Sequence, residues 1–339
     1  MTNITVPYTE GTYVPVPCAA TIGHFDGVHL GHQHVLRRLC MLTKERGLAQ
    51  SMAISFDRHP RTVFDKDFVP NMLTTVDERR QIISQVGVDV CAVLRFDKEM
   101  ASMSAEDFMR EVLRDKLGVR LLLLGYDNRF GRKNKDEGFE DYMRYGKALG
   151  IEVIECDPLE LAYGKRVSST LVRELLADGK VDEAAECLGH RYSVEGTVVE
   201  GFHEGRKIGF PTANLDIDPQ KIIPVGGVYA VKVRVEGDIQ MHNGMMNIGH
   251  RPTYGINELT LETNIFRFRE NIYGKKIRVE FCKKLRLERR FDSISDLARQ
   301  LAEDAFEANK YLLHPDALPL TRRRFFKAAS TLYSLNSNL

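Results

Sequence analysis

The chain has 339 residues, 43% of them apolar and 28% charged, the balance of an ordinary globular protein with length enough for two domains. Lys and Arg total 48 against 47 Asp and Glu, which excludes a strong global field for nucleic acid and leaves small anionic ligands to be held by local positive groups. The six cysteines are scattered without a C-x-x-C, Met1–Val14 has no basic-then-apolar leader, and no apolar run reaches roughly 18 residues, so the sequence reads as a cytoplasmic protein without disulfides, structural zinc or a membrane span.

Ala19–Ile22 reads as a buried strand ending at Gly23, and Gly31–Arg46 as a helix with Val35, Leu36, Leu39 and Leu42 at three- and four-residue spacing. Strands then follow at Ser51–Phe56, Val90–Leu94, Leu121–Leu124 and Ile151–Ile154. Helices fall between them at Val76–Val86, Ala105–Leu117 and Phe139–Leu149, and a further helix runs from Ser169 to about Ala177. Alternation of this kind predicts parallel βαβ units in a doubly wound α/β domain, with ligands beyond the carboxyl ends of the strands. The character changes near Leu188–Tyr192. Short glycine-punctuated runs at Ser193–Glu200, Gly227–Val235, Met241–Ile248, Leu259–Phe268 and Lys276–Phe281 predict a small antiparallel barrel, followed by an amphipathic helix over Ile294–Leu313. The expected domains are 1–187 and 188–315, with a tail over 316–339 that has no assigned role.

The first chemical motif, Gly23-His24-Phe25-Asp26-Gly27-Val28-His29-Leu30-Gly31-His32, follows the first strand and opens the first helix. Glycines permit a sharp turn close to a ligand, and the helix start offers unpaired N–H groups to phosphate. His29 and His32, three apart, project on one side and can donate to phosphoryl oxygens as charge develops. A histidine at a helix start is commonly a cap or core residue, and H-x-x-H alone is half a metal site, but no third ligand stands nearby. With Gly23, Phe25, Asp26 and Gly27 the pattern resembles the H-x-G-H signature of the nucleotidylyltransferase superfamily. Arg166-Val167-Ser168-Ser169-Thr170-Leu171-Val172-Arg173 caps a helix and is similar to that superfamily's S-S-T-x-x-R motif. Phe56 and His59 follow the second strand, and Asp127 and Phe130 the fourth. For both phenylalanines core packing is the competing reading.

The second motif is Gly201-Phe202-His203-Glu204-Gly205-Arg206-Lys207-Ile208-Gly209-Phe210-Pro211-Thr212-Ala213-Asn214-Leu215. Gly205, Arg206, Lys207 and Gly209 suit a loop over phosphates. Thr212 and Asn214 alternate on an extended segment, so a hydroxyl and an amide oxygen face one way and can hold Mg²⁺ on a nucleotide. Glu262, in Leu261-Glu262-Thr263-Asn264, can accept the proton of an attacking hydroxyl. The bland reading is one solvated residue of an alternating strand.

Together with N-I-G-x-R-P-T over 247–253 and Tyr273-Gly274-Lys275 followed by Leu285-Arg286, these motifs resemble, over about residues 15–312, the bacterial bifunctional riboflavin kinase/FMN adenylyltransferase family. The resemblance implies a Rossmann-like nucleotidylyltransferase domain followed by a riboflavin kinase barrel. It implies Mg²⁺ as cofactor and ATP, riboflavin, FMN and FAD as substrates or products. His29 and His32 would steady the transition state at the α-phosphorus. Gly23, Phe25, Asp26, Gly27, Arg166, Ser169, Thr170 and Arg173 would hold ATP. Phe56, His59, Asp127 and Phe130 would lie near nucleotide and flavin. Gly205, Arg206, Lys207, Gly209, Thr212 and Asn214 would bind the kinase nucleotide, Thr212 and Asn214 its metal, and Glu262 would act as base. Asn247, Arg251 and Arg286 would meet flavin. One departure stands out: Asn128 replaces the phenylalanine of the family's G-x-[DN]-F-x-F-G, and an amide lacks its apolar packing.

Competing readings are adenylylation of another acceptor, a non-catalytic flavin-binding protein, and RNA binding through the barrel and Arg322–Arg324. The barrel motifs oppose the first, the intact site residues the second, and the near-zero net charge the third. Small-molecule substrates, without nucleic acid or membrane partners, are therefore expected.

Overall fold

The computed structural model describes residues 1–6, 13–126, 128–132, 137–159, 166–201, 204–253 and 256–313. The chain divides into two compact units, Met1–Ser169 and Thr170–Leu339. Among the described residues no helix is long and apolar enough to cross a membrane.

The first unit holds six parallel strands: β1 (Thr2–Val6), β2 (Cys18–Ile22), β3 (Gln50–Phe56), β4 (Val90–Leu94), β5 (Val119–Gly125) and β6 (Glu152–Cys156). Their spatial order is β1-β4-β3-β2-β5-β6. Helices between them are α1 (Leu30–Glu45), α2 (Arg61–Phe64), α3 (Val76–Val86), α4 (Lys98–Ser102), α5 (Ala105–Asp107, continuing as a π-helix over Phe108–Lys116) and α6 (Phe139–Leu149). The sequence reading lacks β1. This short run pairs along the edge with β4, and nothing in its composition sets it apart from a disordered start.

Strand periodicity explains the layers. Cys18, Ala20 and Ile22 of β2, Met52 and Ile54 of β3, and Leu122 and Leu124 of β5 meet Phe108, Met109, Val112, Leu113 and Tyr142 on one face. The intervening Ala53, Cys91 and Val93 meet Leu36, Ile82 and Ile83 on the other, beside a cluster where Ala19, Leu121 and Leu123 meet Leu39 and Leu42. Burial of each such aliphatic side chain contributes about 1.5–3 kcal/mol. Phe108, Leu113 and Leu117 recur at intervals of five and four, a spacing that the wider π turn also brings to one side. The order in which strands are added reverses between β2 and β5, so the loops leaving these two parallel strands border one crevice, where open α/β sheets bind ligands.

The second unit begins with α7 (Ser169–Ala177, whose first residue closes the first unit) and α8 (Val181–Leu188). The strands β7 (Ser193–Val199), β8 (Ala213–Ile217), β9 (Gly227–Val235), β10 (Met241–Thr253), β11 (Ile256–Ile265) and β12 (Lys276–Arg286) close a barrel in the order β10-β11-β8-β7-β12-β9. The short α9 (Glu204–Lys207) lies between β7 and β8, and α10 (Ile294–Leu313) ends the described chain. Ala308 and Leu312 of α10 pack on Ala230, Met245 and Cys282, closing the apolar face that the barrel turns outward there.

Candidate active sites

The loop from β2 into α1 is held in an unusual conformation. Phe25 and Val28 have positive φ (51° and 41°), and for a β-branched residue this is a rare, strained setting. Asp26 over-determines it. Its buried carboxylate accepts hydrogen bonds from the backbone N–H groups of Leu73 (2.9 Å) and Thr74 (3.0 Å) and from the Thr74 hydroxyl (3.2 Å). Gly27 N–H in turn donates to Thr74 Oγ1 (3.0 Å), and Ser169 Oγ donates to the Asp26 carbonyl (2.9 Å). Asp26 therefore serves as the loop's anchor, with its charge fully engaged by the protein.

That loop delivers His29 as the N-cap of α1. Its Nδ1 accepts from the backbone N–H of His32 (3.3 Å), so the remaining proton of a neutral ring sits on Nε2. The rings of His29 and His32 stack with centroids 3.6 Å apart, and Phe25 meets His32 edge-on at 5.4 Å. A Cβ on Gly31 would stand 3.1 Å from His29 Cε1, a tight contact that would press on the stacked ring. Burial is the main cause that lowers the pKa of His29 to about 4, opposed by Asp26. Burial lowers His32 well below the ordinary range, with the positive charges of His29 and His24 acting in the same direction. Both are neutral N–H donors near pH 7, as a site that polarises phosphoryl oxygens needs.

The sign of the linkage follows. The unfolded chain binds a proton at His29 near pH 6.5 and the folded chain only near 4, so between these values the unfolded state holds more protons, and the lowered pKa of His32 acts in the same direction. Stability is complete above pH 6.5 and is lost as pH falls toward 4, by about 3 kcal/mol for His29 alone. We expect the urea midpoint of the first unit, followed by circular dichroism, to fall between pH 6.5 and 4.5, and His29→Gln to flatten that slope. A midpoint independent of pH there would contradict the buried neutral state.

Two groups absent from the sequence reading complete this site. Arg79 of α3, only 2% exposed, donates from Nη1 to His24 Nδ1 (2.8 Å) and the His24 carbonyl (2.7 Å), and from Nη2 to the Phe56 carbonyl (2.7 Å). In the run Val76-Asp77-Glu78-Arg79-Arg80 the charge of Arg79 suggests a solvated position, although it stands three residues after Val76 and four before Ile83, on the helix's apolar face. His24 lies inside the recognised motif, yet its type there suggests no role by itself.

Of the other expected residues, Phe56 packs edge-on against Phe96 (5.5 Å). His59 approaches His24 at 5.6 Å and Phe68 at 5.2 Å, which places it beside the histidine cluster. Phe130 stacks on Tyr142 at 4.5 Å and rests against the core, the packing role foreseen as its alternative. Arg166 lies over the Tyr126 ring at 5.0 Å. Gly23 donates its N–H to the Ile54 carbonyl (3.0 Å). Thr170 and Arg173 sit on α7 in the second unit. Asp127 lies outside the described residues. Asn128, the departure from the family pattern, donates its amide to the Ile22 carbonyl (2.5 Å), tying the loop after β5 to the end of β2. An amide here makes a backbone link that phenylalanine cannot.

In the barrel, strand register assembles the second site. Asn214 of β8 stands directly opposite Glu262 of β11, Glu262 opposite Asn247 of β10, Asn247 opposite Val228 of β9, and Val228 opposite Arg286 of β12. Side chains alternate along each strand, so this row shares one face. The flanking residues, Ala213 and Leu215, Leu261 and Thr263, Met246 and Ile248, point the other way and are buried. Thr212 lies just before β8, two residues ahead of Asn214. Glu262 thus stands between two amides rather than as one member of a solvated strand.

Gly201 makes room for this arrangement. A Cβ there would fall 2.0 Å from Asn214 Nδ2, so only glycine permits the close approach. The Gly205–Gly209 turn is closed by Phe210 N–H donating to the Gly205 carbonyl (2.8 Å), with Arg206 exposed. The side chains of Lys207 and Arg251 lie outside the described residues, as does all of 314–339. The Arg286 guanidinium donates to the buried Asp304 carboxylate of α10 from Nε (2.9 Å) and Nη2 (2.8 Å), fixing the helix to the barrel.

Comparisons with known proteins agree with this division. A family described as FAD synthetase matches residues 13–171, and one described as riboflavin kinase matches 188–312. The chain is 38% identical to the bifunctional riboflavin kinase/FMN adenylyltransferase of Haemophilus influenzae, covering 87% of this chain and 94% of that protein. It is 35% identical to the Bacillus subtilis protein of the same name (86% and 91%) and 36% identical to the Escherichia coli one (87% and 92%). A solved structure titled macrolide-efflux protein from Streptococcus pneumoniae superposes with a TM-score of 0.81 at 29% identity, covering 91% of this chain and 99% of that one. Parallel sheet, closed barrel, histidine loop and polar barrel row occur in one chain with both matches in order, and the chain belongs to the bifunctional riboflavin kinase/FMN adenylyltransferase family.

Proposed function

We propose that the chain makes FAD in two ATP-dependent transfers. The barrel phosphorylates riboflavin to FMN, and the first unit transfers AMP from ATP to FMN with release of pyrophosphate. The observation that carries this reading is that each unit gathers its own phosphate-transfer constellation: stacked neutral histidines at a helix start in one, and Asn214, Glu262 and Asn247 in register in the other.

In the first unit a phosphate oxygen of FMN bonds to the α-phosphorus of ATP as the bond to the bridging oxygen breaks and pyrophosphate leaves with the electron pair. No proton need move at the reacting centre. His29 and His32 donate hydrogen bonds to the charge that builds on the phosphoryl oxygens. The Gly23–Gly27 loop, Arg166 and Ser169 hold the nucleotide. Phe56, His59, Asp127 and Phe130 border nucleotide and flavin.

In the barrel the terminal ribityl hydroxyl oxygen bonds to the γ-phosphorus of ATP as the bond to the β–γ bridging oxygen breaks and ADP leaves with the electron pair. Transfer of this kind passes through a loose transition state, so Glu262 chiefly orients the hydroxyl and takes its proton late. Thr212 and Asn214 supply hard oxygen donors that would hold a Mg²⁺–nucleotide, and Gly201, having no Cβ, admits the Asn214 amide beside it. Bound Mg²⁺ would neutralise phosphate charge. Gly205, Arg206, Lys207 and Gly209 cover the nucleotide, and Asn247, Arg251 and Arg286 border the flavin.

Isotope placement tests the scheme. Label from γ-³²P-ATP should enter FMN made from riboflavin, whereas label from α-³²P-ATP should enter only FAD. Label from the α-position in FMN, or none in either flavin, would refute it.

A further inference from the structure

We propose that His24 is a further phosphate-contacting residue of the first unit, and that Arg79 is the positioning residue that fixes which of its ring nitrogens carries the proton. The proposal rests on the reading that this unit adenylylates FMN.

A guanidinium is only a donor, so the 2.8 Å contact from Arg79 Nη1 obliges His24 Nδ1 to accept. Arg79 also donates to the His24 carbonyl and to the Phe56 carbonyl, so its position is set by three contacts that bridge β3 and the histidine loop. A neutral His24 must then carry its proton on Nε2. That nitrogen is buried and has no hydrogen-bond partner among the described residues. Buried donors are nearly always satisfied, and an orphan in a phosphate-transfer loop calls for an acceptor that arrives with the ligand. The strained segment Phe25–Val28 and the stacked His29–His32 pair follow directly in the chain, and His59 lies 5.6 Å away.

The charges around the ring support a neutral donor. Burial and then Arg79 lower its pKa to about 4, with Asp26 opposing and His59 acting in the same direction as Arg79. Asp26 is held by Leu73 and Thr74, and is not available to His24 as a direct acceptor. An N–H donor held this way stabilises charge growing on an α-phosphoryl oxygen while the P–O bond to pyrophosphate breaks, without gaining or losing a proton. Arg79 reads its own pair only through His24, which is why its role is positional.

The full-length protein allows three readouts on each variant: FAD formation from supplied FMN, FMN formation from riboflavin, and the His24 tautomer by ¹⁵N–¹H correlation. His24→Ala is expected to lower kcat for FAD formation roughly 10²-fold with KM for FMN within about threefold. His24→Gln, whose amide N–H reaches the Nε2 position, should recover most of that loss. Arg79→Met should lose the pure Nε2–H tautomer and a similar rate factor, and the double variant should be no worse than either single one. Riboflavin phosphorylation in the same preparations reports that the protein is folded. An Nδ1–H tautomer in the wild type, or His24→Ala forming FAD within threefold of an active wild type, would overturn the proposal. A wild type that made no FAD at all would overturn the adenylylation reading and the His24 role with it, and the wild-type control alone separates that case.

Discussion

Glu262→Gln is expected to slow riboflavin phosphorylation by roughly 10²–10⁴-fold while leaving adenylylation of supplied FMN within about twofold. The substitution keeps size and hydrogen-bonding reach but removes the ability to accept the hydroxyl proton. Register makes the prediction sharp: Glu262 stands between Asn214 and Asn247 on one face, so no other carboxylate of that row can substitute. Because the transition state is loose, the loss should appear mainly in kcat, with KM for riboflavin changing less. Equal loss of both reactions would mean that the substitution acts through folding rather than through the barrel site.

His29→Ala should do the reverse, reducing FAD formation from FMN by roughly 10²–10³-fold and letting FMN accumulate from riboflavin. Two contributions must be separated. His29 caps α1 through its Nδ1, a link whose loss costs about 1 kcal/mol of stability, and it also presents an Nε2–H donor. His29→Asn keeps a capping oxygen and lacks the reach of the imidazole. If the catalytic role dominates, His29→Asn restores the melting temperature of the Ala variant but not its rate. Recovery of both together would reduce His29 to a cap.

Much of this was legible in the sequence, for physical reasons that differ between elements. The strands β2 to β6 announced themselves as apolar runs because they are buried on both faces, and α1 by the three- and four-residue spacing of Leu36, Leu39 and Leu42. The edge strand β1 was not legible, since a five-residue strand at a sheet margin needs little apolar surface. Neither was the π winding after Ala105, which buries the same side chains as an ordinary helix would. In the barrel, the spacing of Thr212 and Asn214 gave their common face, but not that Glu262 stands directly opposite Asn214, because pairing between strands distant in sequence leaves no local trace.

The sites divide in the same way. Local motifs exposed His29 and His32, yet the network beneath them is tertiary. Asp26 looked like a ligand contact and is engaged as an anchor by Leu73 and Thr74, nearly fifty residues on. Arg79 shares the helical face of Val76 and Ile83, but its charge argued for solvent; it is buried beneath the loop and donates to His24. Asn128 read as lost apolar packing and supplies instead a hydrogen bond to the end of β2.

The central claim is that two separate sites act in sequence on flavin, and one experiment addresses it most directly. Wild type, Glu262→Gln and His29→Ala are each incubated with ATP, Mg²⁺ and either riboflavin or FMN, and the flavins are separated by chromatography over time. The account predicts FMN and then FAD from riboflavin with the wild type, FAD only from supplied FMN with Glu262→Gln, and FMN without FAD with His29→Ala. Loss of both riboflavin phosphorylation and adenylylation of supplied FMN from either single substitution in a folded protein would contradict it.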